Sequence, residues 1–204
     1  MTLPDHRHAT LGLRVPEKLR PTPLGSIVSG SGATLMGVFE TSNGYPPPDE
    51  LRQAIEIAER FLADCEAQEG ALREAVSHAE IDEIRGQLAE LVMSWPNANE
   101  RDLTVFGRNL VERVISRRPS RYALREGAIA CMELHDFVPS IAEALRAFDE
   151  AQERIRSTAF HVNELPGVLA KAKAALASAE EQQASIARFR DTRSRPATFA
   201  STAS

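Results

Sequence analysis

Apolar residues recur at alternating intervals of four and three along most of the chain, and prolines cut the pattern into segments. Leu51, Ile55, Ala58, Leu62 and Cys65 form the first run. Leu72, Val76 and Ala79 resume its phase after an interruption at Glu69. Such spacing places one apolar stripe on a helix. Pro46 to Pro48 bar that helix from extending backwards, and Asp49 is placed to cap its free N–H groups. The pattern therefore predicts a long amphipathic helix over 49–79. A new phase follows, carried by Ile81, Ile84, Leu88, Leu91 and Trp95. Ser77-His78-Ala79-Glu80 has the form of a capping box ahead of it, and Pro96 ends it.

Asn97-Ala98-Asn99 reads as a loop, with Asn99 a fair cap for the next helix. That helix spans about Glu100 to Ser116, with Leu103, Phe106, Leu110, Val111, Val114 and Ile115 inward. Pro119 stops it, and Ser120 caps a third short helix whose inner side is Tyr122, Leu124, Ala128, Cys131 and Leu134. Ser140-Ile141-Ala142-Glu143, preceded by Pro139, is a second capping box. It opens a long stripe through Ile141, Leu145, Phe148, Gln152, Ile155, Ala159 and Val162. Pro166-Gly167 should interrupt that helix, with Leu169, Ala172, Leu176, Ala179 and Ile186 continuing to about Phe189.

These elements give an all-α fold: a short-helix bundle over 80–150 between two long heptad-bearing segments, 49–79 and 141–189. The economical arrangement packs 50–76 against part of 141–188 as an antiparallel pair. A second copy of the chain is the alternative partner for the seam, which would make a homodimer. Residues 1–48, with Pro4, Pro16, Pro21, Pro23 and the run Ser29-Gly30-Ser31-Gly32, read as a flexible arm. Gly37-Val38-Phe39 within it reads as a short strand or a docking peptide. The Ser/Thr/Ala-rich stretch 190–204 reads as a disordered tail.

Composition narrows the function. The formal net charge of −5 rules out a whole-molecule polyanion binder, so contact with nucleic acid would need a local basic patch. The two cysteines, Cys65 and Cys131, sit on apolar helical faces and read as small buried hydrophobes. The N-terminus lacks an apolar leader and no run approaches the length of a membrane span, so the expectation is a cytoplasmic protein with no membrane contact. The Gly/Ser run is not followed by Gly-Lys-Ser/Thr, so it is not a phosphate loop. His6 and His8 lie in the arm, and His135 and His161 lack ligand-spaced partners. With no catalytic constellation in view, the chain reads as a non-enzyme without cofactor or metal.

One local concentration of charge stands out. Arg108, Arg113, Arg117, Arg118, Arg121 and Arg125 surround the break at Pro119, with only Glu112 and Glu126 between them. Such a patch can meet phosphates or an acidic protein surface. It can also serve the carboxyl end of the preceding helix, where cations suit the dipole. Arg113, Arg117, Arg118, Arg121 and Arg125 are the candidate partner-binding residues.

Leu88-Ala-Glu-Leu-Val-Met-Ser-Trp95-Pro96 closes one helix; Ala128-Ile-Ala-Cys-Met-Glu-Leu134 and Phe137-Val138-Pro139-Ser140-Ile141-Ala142-Glu143 follow. This succession resembles the helical domain of phage replicative-helicase loader/inhibitor proteins, over about residues 81–150. In that family an aromatic-Pro pair ends one helix and a Phe-x-Pro-Ser/Thr-x-x-Glu step opens another. The resemblance implies a small all-helical domain with a flexible end that docks on a DnaB-type hexameric helicase. It also implies an adaptor of DNA replication without an ATPase of its own. The chain departs from the family in its long proline-rich arm and its following heptad-bearing helix. Two other readings stand beside it: a helix-turn-helix DNA-binding protein of packaging or regulation, built around Ser120, and a coiled-coil assembly or scaffolding protein.

Overall fold

The structure, a computed structural model, describes residues 24–28, 31–39, 44–95, 100–134 and 138–194. Expectations that fall on His6, His8, Asn97 to Asn99, His135 and residues 195–204 lie outside these. The described chain is all-α: α1 (Gly25–Val28), α2 (Ser31–Phe39), α3 (Pro48–Ala67), α4 (Glu69–Val76), α5 (Ile81–Met93), α6 (Glu100–Arg117), α7 (Arg121–Leu134) and α8 (Ile141–Ser194). Two compact units emerge. Of the described residues, 24–25 and 70–156 form one, and 26–69 with 157–194 form the other.

In the unit that holds α3, the cap position is Pro47, two residues before the Asp49 that the sequence suggests. Pro48 occupies the first turn, where its missing N–H costs nothing, and Pro47 O accepts from Leu51 N–H at 2.9 Å. Asp49 does not cap; it pairs with Arg52 at 2.9 Å. Beside Leu51, Ile55, Ala58 and Cys65, α3 also buries Ala54 and Phe61. The stripe is wider than the sequence suggests because α2 packs on α3, with Leu35, Met36 and Phe39 buried. This corrects the flexible-arm reading for 25–28 and 31–39, and the strand reading of Gly37–Phe39. Gly32, Gly37 and the neighbouring serine and threonine disfavour a helix on propensity, and tertiary burial of the apolar face overrides them.

The C-terminal part of α8 runs antiparallel to α3. Arg52 bonds Glu180 at 2.7 Å and Lys173 bonds Glu59 at 2.6 Å, so seven residues forward on one helix match seven residues back on the other. Half-exposed pairs of this kind stabilise by about 0.2–1 kcal/mol each. Their larger role is to fix register beside the buried Leu165, Leu169 and Ala172. Here α8 is one helix of 54 residues and passes through Pro166 without the predicted break, and it continues past 190 to Ser194. The proline removes the N–H that would bond Val162 O, but buried Leu165 and Leu169 hold both sides in place. Replacing exposed Pro166 with alanine should therefore raise the free energy of unfolding by about 1–3 kcal/mol in urea titration, since proline in a helix interior costs about that much.

The unit of residues 70–156 has its core in Ile84, Leu88, Leu91, Trp95, Leu110, Val114, Leu124, Ala128, Cys131, Leu145 and Phe148. Trp95 meets Phe106 edge-on, with centroids 5.9 Å apart. Ile81 and Val76, expected inward, are exposed, and Ala75 is buried instead. The Ser140 box forms as the sequence predicts: Ser140 N–H donates to Glu143 Oε2 at 2.8 Å and Glu143 N–H to Ser140 Oγ at 3.2 Å. The Ser77 box does not. Ser77 Oγ donates to Glu74 O at 2.6 Å, and Glu80 caps α5 with Glu83 as its reciprocal partner.

Both cysteines are buried and free. Burial pushes the Cys65 thiol up to about 11 and the Cys131 thiol up to about 12. The folded state thus holds these protons more tightly than the unfolded chain. Stability should stay level up to the ordinary thiol range and fall as pH rises through it toward 11–12. At pH 8 neither thiol should react with a disulfide reagent until denaturant is added. Rapid labelling of the native protein would contradict this burial.

Candidate partner-binding face

Two short linkers, one between α4 and α5 and one between α6 and α7, pair with each other. Ala79 N–H donates to Pro119 O at 3.0 Å, and Arg121 N–H donates to Ser77 O at 2.9 Å. This makes an isolated antiparallel bridge between His78 and Ser120. Because a carbonyl only accepts, His78 presents Nδ1–H to Arg118 O, at 2.8 Å. Ser120 is buried and caps α7: its Oγ accepts from Ala123 N–H at 3.1 Å, while its own N–H reaches Gln152 Oε1 on α8 at 2.7 Å. The arginine cluster is therefore mounted on a clasp tied to three helices and a second linker.

Arg118 follows the last residue of α6 with φ +50°, and its N–H donates to Ile115 O at 3.1 Å. This is the left-handed position after a helix that glycine usually fills. For a residue with a Cβ the conformation costs roughly 1–2 kcal/mol.

The five candidate arginines separate into three groups. Arg117 Nε donates to Asp149 Oδ1 at 3.0 Å, which ties α6 to α8. Arg121 Nε donates to Glu83 Oε2 at 3.0 Å, and Glu74 lies 3.8 Å from its Nη1. The Glu83 hydrogen bond, followed by the charge of Glu83, raises the affinity of that guanidinium for its proton. Arg125 joins Arg121 on the wall of a cleft of about 590 Å³, with Glu74, Asp82, Glu83, Glu90 and Tyr122 opposite or beside them. Burial, with Glu126 nearby, raises the Tyr122 phenol above its usual range. Arg113 and Arg118 are exposed and make no side-chain ion pair among the described residues. Sequence spacing brings all five together but misses Asp149, Glu83 and Glu74, which lie at the same place in the fold and far away in the chain.

Helix α7 is enclosed on nearly every side, with Tyr122, Ala123, Leu124, Ala128, Ile129, Cys131 and Met132 buried. A recognition helix turns a free face into a groove, and the open strip of α7, Glu126, Ala130 and Glu133, carries two carboxylates that phosphates would repel. His161 stacks edge-on with exposed Phe160 at 5.7 Å. Among the described residues no helix is long and apolar enough to cross a membrane, and no group of three His, Cys, Asp or Glu side chains is placed to hold a metal ion.

No protein-family model matches the chain, and neither a curated protein nor a solved structure is significantly similar to it.

Proposed function

We propose that this chain is a non-enzymatic adaptor of phage or prophage DNA replication. It binds a DnaB-type replicative helicase, as a loader or inhibitor, through the open part of the arginine cluster. The observation that carries the reading is the sorting of the cluster. Arg117 and Arg121 are spent on internal carboxylates, while Arg113 faces solvent from within α6 and Arg118 from a backbone fixed by the clasp. With the backbone already ordered, only the side-chain rotamers remain to be fixed on binding, so more of the interaction survives as affinity. The helix succession through Trp95 and Ser140 supports the choice of partner. A pull-down of the full chain with the hexameric helicase should show association at micromolar concentration, and none at that concentration would remove the proposal.

A second reading, a self-assembling scaffold, has one observation in its favour. Ile186 and Phe189 are exposed on the last turns of α8, at 55% and 72%. Sedimentation velocity separates the two, because a strict monomer excludes the scaffold.

A further inference from the structure

Glycine would be the least strained residue at the left-handed position that closes α6, yet the chain places arginine there. Among the described residues Arg118 is the one non-glycine residue with positive φ. Both of its backbone polar groups are engaged, the N–H with Ile115 O and the carbonyl with His78 Nδ1–H. Its side chain is exposed and makes no ion pair among the described residues, whereas Arg117 and Arg121 on either side both do. Strained backbone held in place by surrounding contacts concentrates at functional positions, and this one carries an outward-pointing charge.

We infer that Arg118 is the anchoring cation of the partner face, that His78 positions it by locking its carbonyl, and that it receives a carboxylate from an acidic protein surface. The inference rests on the adaptor reading above and names the chemistry of its contact. A guanidinium presents a planar fork that matches a carboxylate or a phosphate with two parallel hydrogen bonds, so the number of open cations decides between them. Duplex DNA, with one charge per roughly 1.7 Å, calls for many phosphate contacts. The chain carries a net charge of −5, and two of its six clustered arginines, Arg117 and Arg121, are paired with carboxylates of the chain itself. The open strip of α7 is acidic, with Glu126 and Glu133, which disfavours that helix as a groove reader.

The test uses the full chain, immobilised, with the hexameric DnaB-type helicase in solution and a 20-base-pair duplex as a parallel probe. Arg118→Gly should raise the thermal unfolding midpoint, because it relieves the left-handed strain, and should weaken helicase binding by about tenfold, the loss expected for one charge-assisted pair. Arg118→Lys keeps the charge without the fork and should fall between. His78→Ala should weaken binding of the parent chain but not that of the Arg118→Gly variant, since it acts only through Arg118. Unchanged binding by Arg118→Gly, or a lowered midpoint, overturns the inference while leaving the adaptor reading intact. A parent chain that does not bind the helicase removes both. Loss of duplex binding with helicase binding unchanged would assign the contact to phosphate and overturn the carboxylate.

Discussion

Replacing Gly127 with alanine should lower the free energy of unfolding by about 2–3 kcal/mol, although alanine is the better helix former. A Cβ at that position would lie 2.3 Å from Phe148 Cδ1 and 2.8 Å from Phe148 Cα. The ring can rotate, but the Cα belongs to the backbone of α8. Relief therefore requires the two helices to separate, which opens gaps around the buried Leu124, Ala128, Ala144 and Leu145. The same substitution at Gly86 should have the opposite sign. Nothing lies within 4 Å of a Cβ there, so the helix gains about 0.5–1 kcal/mol from the lower backbone entropy of its unfolded state. Chemical denaturation of the two variants side by side checks both. Equal effects would mean that α7 and α8 do not approach as closely as described.

Phe148→Ala should cost about 3–5 kcal/mol, the range for removing a fully buried aromatic side chain. Phe148 is 2% exposed and sits in the core of the 70–156 unit. Combined with Gly127→Ala the loss should be clearly less than additive, because truncating Phe148 removes the ring contact that the new methyl meets. Part of the clash should remain, since Phe148 Cα stays where it is. A double-mutant cycle reads this coupling directly. Strict additivity would show that the two residues do not touch.

Much of this architecture is visible in the sequence where apolar period, caps and prolines agree. Of the stripe Ile81, Ile84, Leu88, Leu91 and Trp95, all but the exposed Ile81 are buried as the spacing suggests, and the Ser140 box forms with both of its reciprocal bonds. The misreadings have physical causes. Helix α2 is poor in helix formers and is held by Leu35, Met36 and Phe39 against α3, a tertiary effect that local propensity does not contain. Pro166 breaks a helix in isolation, but flanking burial of Leu165 and Leu169 carries α8 through it. Ser77 has the right neighbours for a capping box and instead closes α4 through Glu74 O, because residues 77–79 are drawn into the bridge with Pro119 and Arg121. At the candidate site the arginines themselves were legible. What separates Arg113 and Arg118 from their paired neighbours was not, since Asp149 and Glu83 stand 32 and 38 residues from the arginines they neutralise.

The left-handed Arg118 could not be read from sequence either. An arginine followed by proline suggests an extended residue, because proline disfavours the right-handed helical conformation before it. The clasp through His78 selects the positive-φ alternative.

The most direct test of the central claim is amide hydrogen exchange on the full chain, with and without the hexameric helicase. Added protection should concentrate at 112–121, over the end of α6 and the Pro119 linker, with the core of α7 protected equally in both states. Protection confined to the last turns of α8, or no change anywhere at saturating helicase, would contradict it.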